Sequence, residues 1–218
     1  MSIEIRALTE LGDLYAAVDL QTVYWGFDVE SLVPAQMMFT IVKSGGHVVA
    51  AYDGEKMIGV LIGLFAADGI PAHKHLKIYS KRMVVLPEYR GQGIAQDLKL
   101  KQRELAMAQG VNLITWTFDP LLSVNAHFNI RKLGCICPTH ILDYYCDAPD
   151  DVGLTILGVS DRLVATWIAD APNVVARDTG DYTERSLQDY LNSGALIINP
   201  MVDRINPPGR VVEDYTDY

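Results

Sequence analysis

The stretch that most constrains this chain is Met83-Val84-Val85-Leu86-Pro87-Glu88-Tyr89, followed at once by Arg90-Gly91-Gln92-Gly93-Ile94-Ala95 and a charged amphipathic run that stops at Gly110. An apolar, β-branched run closed by a proline has the composition of a strand, ending where the backbone donor is lost. The run after Gly93 has the spacing of a helix. The first amides of a helix have no acceptor inside it, and with the aligned peptide dipoles they favour an anion. Gly91 and Gly93 let the backbone approach that anion closely, because a side chain at either position would occupy the space a phosphate needs. A pyrophosphate is the guest such a turn suits.

Strands and helices alternate around this turn. Residues 2–7 place Ile3 and Ile5 at the period of a half-buried edge strand. A helix capped within residues 9–13 carries Leu14, Val18 and Val23; Pro34 opens a second through Met37, Met38, Ile41 and Val42, stopped by Gly45-Gly46. Tyr24, Trp25 and Phe27 fall between these helices, as a hydrophobic clamp or as the lining of a substrate site. Strands 47–52 and 56–65 are joined by Asp53-Gly54-Glu55, a hairpin signal, and strand 75–86 leads into the glycine turn. The helix after the turn is expected to send Ile94, Leu98, Leu105 and Ala108 inward. Lys99, Lys101 and Arg103 are expected mostly outward, with Lys99 and Arg103 in reach of a bound phosphate. Strand 111–117 completes a strand-helix-strand unit whose strands should run parallel. Residues 125–134 form another helix ended by Gly134, and 135–146 another strand bent at Pro138. Further on, 183–191 reads as a short helix and 195–201 as a strand, followed by Pro207-Pro208-Gly209 and an acidic tail. The C-terminal third is expected to be layered onto the same core.

The turn at Arg90 to Ala95, after Val85-x-Pro87-x-Tyr89 and in this order of elements, resembles the acyl-CoA binding motif of the GNAT superfamily of N-acyltransferases. The resemblance implies an α/β fold: a mixed, mostly antiparallel sheet with a central splayed parallel strand pair and helices on both faces. Residues 1–147 would form this core, and 148–218 a C-terminal extension packed on it. Trp116-Thr117-Phe118-Asp119-Pro120-Leu121 is similar to a narrower, largely uncharacterised branch, in which some relatives are expected to acylate amino acids. Asp161 to Trp167 also resembles that branch, which carries the resemblance to about residue 170.

By that resemblance the cosubstrate is acetyl-CoA or another acyl-CoA. The amides of Arg90, Gly91, Gln92, Gly93, Ile94 and Ala95 hold its pyrophosphate, a backbone amide among Met83, Val84 and Val85 polarises the thioester carbonyl, and Asn125 and Phe128 lie along the pantetheine arm. Two departures stand out. Where many members carry a general-base carboxylate, five or six residues before Pro87, this chain has Lys81 and Arg82; where many carry a tyrosine acid, it has Ile130. The narrower branch tends to have a histidine at the Lys81 position. The remaining candidates for proton transfer are Ser80, Asp119, Tyr144 and Tyr145, although Asp119 before Pro120 is equally a turn residue and the tyrosines suit structural roles.

A positioned acid or base contributes roughly 10²–10⁴-fold, whereas alignment of two reactants supplies about 7–11 kcal/mol, a contribution that survives these departures. A site without an obvious base favours an amine of low pKa, such as an α-amine near 8 rather than an ε-amine near 10.4. A cation at Lys81 or Arg82 would lower that pKa further and attract a carboxylate, although strand alternation lets only one of the two face a cleft. The acceptor expected is therefore a small, amino-acid-like amine, and the acyl group acetyl or larger, such as succinyl. A catalytically silent CoA-binding sensor or partner-binding module is the alternative.

Composition narrows the setting. A formal net charge of -9 over 218 residues argues against non-specific nucleic-acid binding and against an anionic membrane, so CoA must be met by local amides and cations. The apolar run 57–67 is short of the roughly 20 residues a membrane helix needs, and three cysteines suit a reducing compartment, so a cytoplasmic protein is expected. His73 with His75, and Cys135-x-Cys137 with His140, lack the spacing or further ligands of a metal site, and no metal is expected. A homodimer is left open.

Overall fold

A computed structural model describes residues 3–26, 31–67, 76–145 and 160–196. Seven strands make one sheet in the order β1-β2-β3-β4-β5-β7-β6. β1 (Ile3–Ala7), β2 (His47–Asp53), β3 (Lys56–Ala67) and β4 (Leu76–Val85) are antiparallel neighbours, β2 and β3 being joined through Gly54 at φ 60°. The crossover helix α3 (Ile94–Ala108) then delivers β5 (Leu113–Phe118) parallel to β4. That pairing covers only Ile78 with Ile114 and Tyr79 with Thr115. Past this row the two strands separate, as expected of a splayed parallel pair in an otherwise antiparallel sheet.

Helices α1 (Leu11–Trp25) and α2 (Ala35–Lys43) bury Leu14, Ala17, Met38 and Ile41 in a cluster with Val48, Val60, Ile62 and Val84. α3 lies on the other face, where the glycines of β3 make room: a Cβ at Gly59 would touch Leu98, and one at Gly63 would fall 2.3 Å from Nε2 of Gln102. A second cluster joins Ala106 of α3 to Ile114, Trp116, Leu133 and Trp167, and Phe128 packs against both.

The phase of α3 differs from the sequence reading. Ile94, Ala95, Leu98, Lys99, Gln102 and Ala106 form its buried face, while Ala108 is exposed. Charge put Lys99 on the outside in the sequence reading. Helical periodicity puts it beside Ala95 and Gln102, and the tertiary contacts follow the periodicity.

A strand absent from the sequence reading, β7 (Arg162–Ile168), inserts between β5 and β6 (Ile136–Ile141), so residues counted with the C-terminal extension supply an interior strand of the sheet. Its buried Ala165 and Trp167 face the second core cluster. α5 (Pro172–Thr179), also unanticipated, follows it, and then α6 (Leu187–Asn192), capped by Ser186 and Asp189. Phe27, His73, His75, Cys146 and residues 197–218, with most of the strand read at 195–201, lie outside the described residues.

Gly46 joins α2 to β2 in a space with no room for a side chain: a Cβ there would meet Cγ2 of Ile41 at 2.5 Å and the carbonyl oxygen of Gly63 at 2.6 Å. Since a backbone atom cannot rotate away, Gly46→Ala should lower stability by roughly 1–3 kcal/mol, read as an earlier urea midpoint at unchanged slope.

Candidate functional site

The glycine turn presents its amides outward. A 3₁₀ turn over Pro87–Tyr89, tied to the β2–β3 hairpin by Tyr89 Oη donating to Asp53 at 3.0 Å, leads into Gly91 at φ 72° and Gly93 at φ 84°. Gly93 caps α3, its carbonyl accepting from the amides of Gln96 at 2.9 Å and Asp97 at 3.1 Å. Among the described residues no backbone carbonyl accepts from the amides of residues 91–95. Ile94 and Ala95 are buried and anchor the turn, whereas residues 91–93 are exposed, and a Cβ at Gly93 would meet nothing within 4 Å. The Arg90 guanidinium donates to the carbonyl of Val85 at 3.3 Å, and the Gln92 amide to that of Glu88 at 3.2 Å, which folds both side chains back along the turn.

β4 lines the opening beside this turn. Its edge toward β5 is paired only as far as Tyr79, so Ser80 to Val85, with Met83 and Val84 among them, border the gap. The pairing of β4 with β3 contains a bulge: Gly63 opposes Ser80 and Ile62 opposes Arg82, leaving Lys81 as the extra residue. This resets the alternation. Lys81 is exposed, and Arg82 turns to the face covered by α1. There its guanidinium stacks 4.2 Å from the centre of the Trp25 ring and donates to Oε1 of Gln21 at 3.4 Å and to the carbonyl of Ser31. Burial lowers its pKa, against a smaller raising effect of Tyr145. Trp25 sits in the last turn of α1, edge-on to Tyr24 at 4.8 Å. Gln21 is wholly buried and bonds Val33 in both directions, which joins α1 to the chain leading into α2.

On the same side as Arg82, Tyr79 hydrogen-bonds to Tyr144 and Thr117, and burial, with Tyr144 second, pushes its phenol up to about 12. Tyr144 and Tyr145 stand edge to face at 4.9 Å in a turn where Asp143 takes φ 47°, and both backbone amides are fixed by Ser160. Tyr145 also lies under the Arg162 guanidinium. Of the tyrosines named from sequence, Tyr145 thus acts on Arg82 and Tyr144 on Tyr79. Tyr79, which sequence reasoning passed over, links them to the splayed strands.

The opposite face of the gap holds Lys99. Its Nζ donates to Ser80 Oγ at 2.9 Å and stands 3.4 Å from the centre of the Trp116 ring. The residue is 3% exposed, and burial lowers its pKa to about 7, with the Cys135 thiol raising it slightly. Trp116 Nε1 donates to Asn129 Oδ1 at 3.2 Å. Asn129 lies in a π-helical turn, His127–Lys132, that continues α4 (Ser123–Ala126). Asn125 and Phe128 lie in these same two turns and are partly buried, while Ile130 is exposed. Asp119 is buried with Oδ1 accepting from the Leu121 amide at 2.8 Å, a turn bond, and Oδ2 has no partner among the described residues. Among the described residues no group of His, Cys, Asp and Glu could hold a metal ion, and no helix is long and apolar enough to cross a membrane.

This mixed sheet with its one parallel pair is a fold shared with solved acetyltransferases of the GNAT family. Residues 44–134, from just before β2 to just past the π-helical turn, match the family model described as Acetyltransferase (GNAT) domain. The ribosomal-protein-S18-alanine N-acetyltransferase of Escherichia coli superposes with a TM-score of 0.59 at 18% identity, over 78% of this chain and 96% of that one. Arabidopsis thaliana Naa50, solved with the bisubstrate analogue CoA-Ac-MVNAL, gives 0.55 at 16% identity over 76% and 98%. A GNAT-family acetyltransferase of Streptococcus pneumoniae gives 0.57 at 15% over 76% and 98%. No curated protein matches in sequence. The chain is thus similar to a GNAT domain over residues 44–134, and it shares its fold with these acetyltransferase structures.

The buried lysine has a consequence for stability. Its folded pKa is depressed from 10.5 to about 7, so between those values the unfolded chain binds a proton that the folded one refuses, and below 7 the buried ammonium lacks a carboxylate partner among the described residues. Lys99→Met should therefore be more stable than the parent at pH 6, by roughly 1–4 kcal/mol. The gap should narrow as pH rises from 7 toward 10.5, which urea titrations across that range would follow.

Proposed function

We propose that this protein transfers an acyl group, acetyl or larger such as succinyl, from acyl-CoA to the amine of a small, amino-acid-like acceptor. The observation that carries this is the run of amides at residues 91–95 that meet no backbone carbonyl among the described residues, beside the point where β4 and β5 part. Amides held at a helix start suit a pyrophosphate, and the open edge of β4 from Met83 to Val85 offers backbone donors to a pantetheine arm and a thioester oxygen. Asn125 and Phe128, from the turns facing that gap, fit the arm's other side. Alignment of amine and thioester in such a gap supplies the larger part of the rate, and the developing oxyanion is met by a fixed amide rather than by a side chain.

Arg82 rather than Lys81 is the cation of the acceptor wall, because the bulge turns it there. With Trp25 stacked on it and Tyr145 acting on it, this guanidinium suits the carboxylate of an α-amino acid, whose amine is also the more readily neutral at pH 7. Asp119 serves the turn at Pro120, and Ser80 pairs with Lys99.

Calorimetry with CoA and release of CoA thiol from acetyl-CoA and succinyl-CoA over a panel of amino acids test this reading. Gly93→Val, which forces a branched side chain into φ 84° and into the open space before the amides, should weaken CoA at least tenfold without unfolding the chain. Arg82→Ala should raise the acceptor KM roughly 10- to 100-fold, the worth of one charged hydrogen bond, while leaving the acyl-CoA KM unchanged. CoA binding without thiol release across the panel would instead favour a CoA-binding sensor.

A further inference from the structure

Lys99 occupies a particular point. α3 runs back along β4, and six residues past Gly93, about 9 Å at the helical rise, Lys99 reaches the apex of the gap. Ser80 and Trp116, its two contacts, are the first residues of β4 and β5 beyond the last paired row, Tyr79 with Thr115. Nζ therefore sits in the angle between the separating strands. Among the described residues it has no ion-pair partner; its surroundings are a hydroxyl, an indole face and the buried thiol of Cys135. Such burial is costly, and nothing in the packing requires a charge there.

The same face is where an acid for the leaving group is missing. Ile130, at the position where the family resemblance implies a tyrosine in many members, is apolar and 41% exposed. Tyr79 alternates with Ser80 and bonds to Thr117 and Tyr144, so the tyrosines belong to the opposite face.

We propose that the Lys99 ammonium protonates the CoA sulfur as it leaves, an inference that rests on the acyltransferase reading above. The acceptor nitrogen forms the C–N bond with its lone pair, the C–S bond breaks with its electron pair passing to sulfur, and a proton moves from Nζ to sulfur to give the free thiol. The proton shed by the new amide nitrogen returns to neutral Nζ through the Ser80 hydroxyl, which accepts one and donates another, so lysine and serine end as they began. Burial brings the ammonium to about 7 when no thiolate is present, acidic enough to give up its proton, while a thiolate at contact distance holds the ammonium in turn and so couples the two titrations. Cys135, the one titratable group acting on Lys99 among the described residues, is itself pushed up to about 12 by burial and stays neutral.

The test reads the sulfur directly. In the complex of the full-length protein with CoA, the thiol is titrated by thiolate ultraviolet absorbance. Its pKa should lie about one unit or more below that of free CoA, and this shift should vanish in Lys99→Met. With a turned-over acceptor, Lys99→Met should lose roughly 10²–10⁴ in kcat, together with the decline of kcat that the parent shows above pH 7. Lys99→Arg, which keeps a charge but holds its proton, should be as slow. A thiol that titrates in the parent complex as it does free, or a Lys99→Met enzyme with the parent's kcat and pH profile, overturns the proposal. If CoA binds and no acceptor is turned over, the thiol shift alone decides it. If CoA does not bind, the acyltransferase reading and this proposal fall together.

Discussion

The parting of β4 from β5 after one short paired row governs the rest of this structure. Parallel strands normally continue their ladder, and leaving it exposes backbone donors and acceptors that must be met elsewhere. Here the crossover α3 starts at the mouth of the gap, its first amides meeting no backbone carbonyl among the described residues, and its inner face closes the apex through Lys99. The unpaired edge of β4 and the unpaired start of α3 thus border one opening, which is why a ligand with a diphosphate at one end and a slender arm suits it.

The bulge at Lys81 adds a second constraint. One extra residue reverses which side chain looks toward α1, so Arg82 lies against Trp25 and Gln21 while Lys81 stays in solvent. The two faces of the gap consequently differ in chemistry. One carries Arg82, Tyr79, Tyr144 and Tyr145 and is polar; the other gathers Lys99, Ser80, Trp116 and Cys135 around a single buried amine.

Much of this was legible in the chain because the signals were local. The Val-x-Pro-x-Tyr-Arg-Gly-Gln-Gly run, the Asp53-Gly54 hairpin and the stop at Gly45-Gly46 each depend on residues within a few positions of one another. The position of Lys99 was not legible, because its charge argued for solvent and only the packing of α3 across the gap encloses it. β7 was missed for a related reason. Its residues 162–168 pair with β5 and β6, far away in sequence, and little in the run itself announces an interior strand.

By itself the sequence determined the strand-turn-helix that presents free amides, the order of elements up to β6 and the acidic balance of the chain, since backbone stereochemistry and short-range periodicity decide these. Only the tertiary structure decided that β7 enters the sheet, that a bulge turns Arg82 instead of Lys81 toward α1, and that Lys99 fills the angle between two strands. Those outcomes depend on register and on contacts between distant segments, and a one-residue shift in register reverses every side chain beyond it.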